Sequence, residues 1–376
     1  MDNSELFYAM ALTCLKGISS RQKLELYRRT NDATVIYQNR KSIGDIVGEA
    51  SPRLRDALGD WSQALRQADG EMEYISKHGI RGLTLSQAGY PMRLRECPDA
   101  PLVIYYKGNA NLNAPKVITI VGSRECTQYG KDLVRHFIQD LGKSFPDLLI
   151  VGNLAQGAGI TVHRRSIESR LRTVAVLPGG LDHVYPEGYA GMAEAMTLFG
   201  GLLTEHMSGT EILRHSFVSR NRIMAGLSDA CIVVESGRKG SSLITAEMSM
   251  EYGRSVFAFP GPAGDRSSQG CNELIRDNVA GLISDAGDFA RAMGWQDGIP
   301  DGRKRERSPL DSLLPSLSSE EAAVVGLLRE RNDLQLGTLG VRTGLQTGRL
   351  LEILLHLEER RIVIPLSGGM YHLMGR

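Results

Sequence analysis

The chain has 376 residues, of which 42% are hydrophobic and 23% charged, a globular composition with room for two or three domains. Lys and Arg total 44 against 43 Asp and Glu, so no global field draws the protein to a polyanion or a membrane, and any such binding must come from a local patch. The five cysteines (Cys14, Cys97, Cys126, Cys231, Cys271) contain no C-x-x-C pair, which argues against a zinc site or a disulfide framework and fits a reducing compartment. With no N-terminal signal pattern and no apolar run of roughly 18 residues, a cytoplasmic protein with no membrane partner is expected.

Residues 1–82 read as a small helical domain, SAM-like or helix-hairpin-helix-like. Apolar residues recur at helical spacing over 6–15, 21–29 and 53–78, with a turn at Gly17-Ile18-Ser19-Ser20 and a polar break around 39–45. The Leu15-Lys16-Gly17-Ile18 turn resembles a helix-hairpin-helix, but Ser19 stands where a second glycine is wanted, so a packing turn is the expected role. Residues 83–108 are irregular, with Pro91, Pro98 and Pro101 leading to an expected edge strand at 102–106.

From 116 to about 289 strands and helices alternate, the pattern of an α/β domain with a doubly wound parallel sheet. The predicted strands are 117–121, 148–151, 173–177, 202–204, 230–235 and 256–259. Five of the six run directly into a glycine-containing turn. In a parallel sheet these turns share the carboxyl edge, where ligands meet the N-terminal amides of helices. The run 230–235 is apolar without alternation, as in a strand covered on both faces. Around it Arg214, Arg220, Arg222, Arg238 and Lys239 outnumber Asp229 and Glu235, a basic cluster on a balanced chain.

Residues 295–319 read as a polar tether carrying the basic run 303–307. Beyond it, 320–376 reads as a winged-helix domain of three helices and a two-stranded hairpin. Its last helix is charge-balanced, which favours a protein contact or a weak backbone contact over major-groove readout.

The turn Gly122-Ser123-Arg124 follows a buried strand, so its amides, hydroxyl and guanidinium can hold a phosphate. It lacks the three-glycine array of a dinucleotide site, and no P-loop occurs, so no cofactor is expected. Arg220, Asn221 and Arg222 are expected at a helix start, where two guanidiniums can bridge successive phosphates or one can act as an internal strut. Phe217, on a polar loop before them, suits a stacked base as well as a core position. His163, Asp182, His183, Glu205, His206 and His215 lie near the same edge, with no spacing that makes a catalytic set or a metal triad. No catalytic or metal residue is assigned.

The segments 217–228, 240–247, 256–261, 121–124 and 177–186, with Gly270-Cys271-Asn272, resemble the DNA-processing protein A family, also called DprA or Smf. The resemblance spans most of 116–288. It implies an extended Rossmann-like domain over 83–294 that binds single-stranded DNA. It also implies a non-enzymatic homodimer that protects incoming strands in natural transformation and loads the RecA recombinase for recombination. The site it implies is Gly122, Ser123, Arg124, Arg214, Phe217, Arg220, Asn221 and Arg222, closed by Lys239, Gly240 and Ser241. One segment departs: family members usually read Ser-Gly-Leu-Ala, then after one residue Gly-Ile-Asp. Here 152–159 reads Gly-Asn-Leu-Ala-Gln-Gly-Ala-Gly, placing Gly159 where the aspartate stands and the uncharged Gln156 at a position often basic or aromatic. Two other functions stay open. Pro178-Gly179-Gly180 resembles nucleoside-monophosphate phosphoribohydrolases of the lysine-decarboxylase-like group, although their catalytic glutamate has no counterpart. The winged helix could instead make the chain a duplex-DNA regulator.

Overall fold

The computed structural model describes residues 3–48, 51–295, 317–366 and 368–374, which fall into two compact units divided between 298 and 299. The basic run 303–307, most of the expected tether and Ser367 lie outside the described residues.

Six helices open the chain: α1 (Asn3–Cys14), α2 (Ser20–Thr30), α3 (Ala33–Gln38), α4 (Gly44–Val47), α5 (Pro52–Gly59) and α6 (Ser62–His78). Ser19 caps α2: its hydroxyl accepts from the Gln22 amide, and the Gln22 side chain accepts from the Ser19 amide, a reciprocal pair that meets two orphan donors. The stretch expected as one helix over 53–78 breaks at Asp60-Trp61, where the indole is buried and donates to Leu58 O at 2.9 Å.

The sheet has nine strands: β1 (Arg81–Thr84), β2 (Val103–Gly108), β3 (Val117–Val121), β4 (Leu149–Asn153), β5 (Arg172–Val176), β6 (Gly200–Thr204), β7 (Ala230–Val233), β8 (Ser255–Ala258) and β9 (Gly281–Leu282). Their spatial order is β1-β2-β6-β5-β4-β3-β7-β8-β9. From β6 to β9 all pairs are parallel, while β2 is antiparallel to both neighbours. The strand expected at an edge is therefore interior; β1 forms the edge, and Tyr105 and Tyr106 of β2 are buried. The chain walks outward from β3 through β4, β5 and β6, then returns to lay β7 on the other side of β3. The switch between β3 and β7 opens a crevice at their carboxyl ends.

Between these strands lie α7 (Met92–Arg95), α8 (Gln128–Ser144), α9 (Ala158–Glu168), α10 (Ala190–Phe199), α11 (Arg214–Leu227), α12 (Ser241–Glu251), α13 (Gln269–Arg276) and α14 (Ala286–Ala292). α8 packs on α9 and α14, whereas α11 packs on α12, so both faces of the sheet are covered, as its unbroken apolar strands require. One hydrophobic core runs from Leu12 and Tyr27 of the helical segment through Ile104 of β2 to Val121 and Val233.

The second unit comprises α15 (Ser319–Glu330), α16 (Leu336–Thr343) and α17 (Thr347–Glu359), with β10 (Leu334–Gln335), β11 (Val363–Leu366) and β12 (Met370–Leu373). The expected hairpin is part of a three-stranded sheet ordered β10-β12-β11, because β10 pairs with the outer side of the hairpin. Arg349 of α17 is tied to Glu320 and Glu352, and Arg360 to Glu321.

Candidate nucleic-acid interface

The turn after β3 is fastened on two sides. The Ser123 amide donates to Glu235 O at 2.8 Å, beyond the end of β7, and the Ala158 amide at the start of α9 donates to Ser123 O at 3.0 Å. Ser123 Oγ accepts from the Glu125 amide at 3.0 Å. This leaves Arg124 exposed, with no ion-pair partner among the described residues. The loop before α9 presses on the same turn: Gly157 has φ +79°, and a Cβ there would lie 2.3 Å from Arg124 O.

Glu235 is 1% exposed. Its carboxylate accepts from the Thr127 amide at 2.8 Å and the Thr127 hydroxyl at 2.6 Å, placing a negative charge at the start of α8, where the helix dipole favours it. It is therefore engaged away from the arginines.

α11 begins at Arg214, so the predicted basic loop is helical. Arg220, Asn221 and Arg222 lie in mid-helix rather than at its start. Residues two apart on a helix are separated by about 200°, and the two guanidiniums accordingly part. Arg222 donates to Asp99 O at 2.7 Å and is ion-paired with Glu205, which also accepts from Ser219. It is braced internally, whereas the expected phosphate row had it beside Arg220. Arg220 turns to the crevice. Only 7% exposed, it donates from Nη1 to Val176 O at the end of β5 (3.3 Å) and from Nε to Asn221 Oδ1 (3.1 Å). No carboxylate meets it among the described residues. Burial, and then the neighbouring Arg124 charge, push its pKa down to about 10. It stays cationic at neutral pH, and buried charge without a counter-ion is costly.

Asn221 also donates to Ser241 O at 3.4 Å, which draws the start of α12 beside Arg220. Gly240 is the N-cap of α12 and supplies no side-chain cap; the Leu243 amide donates to Gly240 O at 3.1 Å, and the amides of Ser241 and Ser242 stay available to an anion. Lys239 is exposed in the preceding loop, while Arg238 is held by Glu273 at 2.7 Å. Arg214, Phe217 and Asn221 follow one another at spacings of three and four, one stripe of α11. Its first turn contains no acid and starts on the exposed Arg214, which adds positive charge at the positive end of the dipole.

The other candidates disperse. His163, expected near a loop, is fully buried in α9. Its Nδ1 bonds Thr173 Oγ1 at 2.8 Å, and burial lowers its pKa to about 4. Asp182 accepts from the Gly209 amide at 3.0 Å, and Glu71 of α6 from the Ser208 amide at 2.9 Å. Both brace the segment leading into α11. The Pro178-Gly179-Gly180 turn is part of this bracing, since a Cβ on Gly180 would lie 2.5 Å from Met207 O. Among the described residues no group of three His, Cys, Asp or Glu could hold a metal, and no helix is long and apolar enough to cross a membrane. The roles of Glu235, Thr127 and Glu71 have no local sequence signal, because each acts across more than one element.

The pKa of His163 sets the sign of an acid effect. Above about pH 6.5 His163 is neutral in both states; between there and about 4 the unfolded chain takes up a proton that the folded chain refuses, so its contribution to stability is lost as pH falls. The melting temperature should drop across this window. His163→Gln should flatten the drop, and an unchanged slope would assign the acid limb elsewhere.

Gly159, where the family's aspartate is expected, is closed off by Asn153. A Cβ on Gly159 would lie 2.2 Å from Asn153 Oδ1 and 2.5 Å from Asn153 O, so the asparagine occupies the space into which a side chain at 159 would grow. Gly159→Ala should cost about 2 kcal/mol, and less in an Asn153→Gly background, with a coupling of about 1 kcal/mol in denaturant unfolding. Additive losses would mean that the two positions are independent.

The fold defines an extended Rossmann-like protein whose crevice, at the switch point of its sheet, brings Arg124 and Arg220 together. The sequence model of the family described as DNA recombination-mediator protein A matches residues 81–294, more than half of the chain, and the chain belongs to that family. The DNA processing protein DprA of Bacillus subtilis is 36% identical over 209 residues, 55% of this chain and 70% of that protein. The X-ray structure of DNA processing protein A from Streptococcus pneumoniae is similar with a TM-score of 0.63 and 32% identity, covering 77% of this chain and 98% of that one. DNA processing protein A from Helicobacter pylori, solved for its single-stranded DNA binding mode, shares the fold at a TM-score of 0.52 and 24% identity, covering 57% of this chain and 96% of that one.

Proposed function

We propose that the crevice between β3 and β7 holds the sugar-phosphate backbone of single-stranded DNA. The chain then acts as a recombination mediator that dimerises, protects incoming strands in natural transformation and loads the RecA recombinase. The observation that carries this reading is Arg220, a buried guanidinium that meets no carboxylate among the described residues, beside the exposed Arg124. A phosphate there replaces the missing counter-ion and accepts from Ser123 and the first amides of α12. Arg214, at the start of α11, and Lys239, in the loop before α12, add exposed positive charge, which favours a strand over a mononucleotide. Family membership points the same way, and the H. pylori relative is described by its single-stranded DNA binding mode.

Two features weigh against the other readings. Asp182 is engaged by a backbone amide rather than poised as an acid, which disfavours nucleotide hydrolysis. Arg349 and Arg360 of α17 are ion-paired within their own unit, which disfavours groove reading by that helix.

Fluorescence anisotropy with a labelled single strand tests the proposal. Four cations, Arg124, Arg214, Arg220 and Lys239, predict a slope of log K against log salt of about −3, at roughly −0.7 per phosphate. Little displacement by a duplex is expected. Salt-independent binding, or equal displacement by duplex, would contradict it.

A further inference from the structure

A cleft of about 1580 Å³ lies between the helical segment and the sheet, larger than the roughly 300–1,000 Å³ of small-molecule sites. Because β2 is antiparallel to β6, its start meets the end of β6, and residues from 98–103 and 205–210 line the cleft together. The cleft therefore opens on the same edge of the sheet as the crevice. α11 stands between the two: Arg220 faces the end of β5, whereas His215, Ser219 and Arg222 face the cleft. Arg214, next to His215 at the exposed start of α11, marks the passage from one to the other.

The wall opposite α11 carries cations that no acid neutralises. Lys16 and Arg66 are exposed and form no ion pair among the described residues. Gly17 O accepts from Arg53 at 3.0 Å, so the turn packs as expected while Lys16 beside it lines the cleft. Arg28 donates to Cys97 O at 2.7 Å, a backbone acceptor that leaves its charge unmatched. Lys23 is 8% exposed, and its ammonium donates to Thr13 O at 2.7 Å with no carboxylate partner among the described residues. It is a buried charge left uncompensated, as Arg220 is. The acids that line the cleft are mostly engaged: Glu25 with Arg21, Glu205 with Arg222, Glu71 with Ser208 and Asp99 with the Tyr252 hydroxyl. Of them Glu251 alone has no partner among the described residues.

We propose that the bound strand continues from Arg214 into this cleft, with its phosphates on Lys16, Lys23, Arg28 and Arg66, so that the helical segment is a second wall of the strand path. This rests on the strand reading above. A polyanion is the chemistry that matches several unneutralised cations, contributed by three elements, along a cleft too large for one small ligand. Contacts to phosphate alone carry no sequence preference.

The test uses the full chain and oligothymidines of about six and about fifteen nucleotides, the shorter of which occupies the crevice alone. Lys16→Ala combined with Arg66→Ala should weaken the longer strand about tenfold near physiological salt and flatten its salt slope by about 1.4, at roughly −0.7 per phosphate. The shorter strand should bind as before, with melting unchanged, since both side chains are exposed. Lys16→Arg combined with Arg66→Lys should keep the affinity for the longer strand, because charge and not shape makes the contact. Equal losses on both lengths would place the effect of these cations outside the cleft, and no loss on the longer strand would remove them from the path; either overturns the proposal. Equal salt slopes for the two lengths in the intact protein would overturn it too, while leaving the crevice reading in place. If the intact protein bound neither strand, the strand reading itself would fall, and its extension into the cleft with it.

Discussion

Arg220→Met should weaken strand binding strongly while making the protein more stable. The methionine follows the path of the arginine stem but carries no charge, so the cost of holding an uncompensated guanidinium in a site 7% exposed disappears. Replacing buried ionic groups by apolar ones of similar volume is neutral to stabilising, and about 1 kcal/mol is expected here after the bonds to Val176 O and Asn221 are lost. A charge-assisted bond to phosphate is worth about 2–3 kcal/mol, a loss in affinity on the order of 30- to 150-fold. Denaturant unfolding and anisotropy should therefore move in opposite directions. A protein that loses both would show Arg220 to be a packing residue.

Gly157→Ala should damage fold and site together. At φ +79° an L-residue is strained, and the new Cβ would lie 2.3 Å from Arg124 O and 2.4 Å from Ser123 O. Both obstacles are backbone, so relief requires the turn after β3 to move. Strain and overlap together should cost about 3 kcal/mol. The displaced turn should weaken single-strand binding at least tenfold even at temperatures where the protein is folded. Wild-type stability would mean that the loop repacks freely, and that the turn owes its shape to the bonds at Ser123 alone.

The central sheet was legible because its strands are short, continuous apolar runs ending in glycine turns; 117–121 matches β3 residue for residue. β1 escaped notice because Arg81-Gly82 supplies half its length and neither residue signals a strand. Pro101 made the next strand look peripheral, but its neighbours come from 81–84 and 200–204, a pairing no local pattern reports. In the site, the basic cluster was visible as composition, yet the start of α11 was not. Its first turns, Arg-His-Ser-Phe-Val-Ser, carry little helical periodicity, and placing the helix start at Arg220 hid the 200° that separates Arg220 from Arg222. Which arginine would be neutralised depended on Glu205 and Asp99, far away in sequence. What fills the space beside Gly159 is Asn153, on another element, so the sequence departure at 159 does not by itself report its surroundings.

The most direct test of the account is amide hydrogen exchange on the intact protein with and without a saturating single-stranded oligonucleotide. If the strand lies in the crevice between β3 and β7, protection should rise at 122–125, at the start of α12 around 240–243 and over the first turn of α11, with α15 to α17 unchanged. Protection confined to α17, or absent from the crevice under conditions where binding is complete, would contradict it.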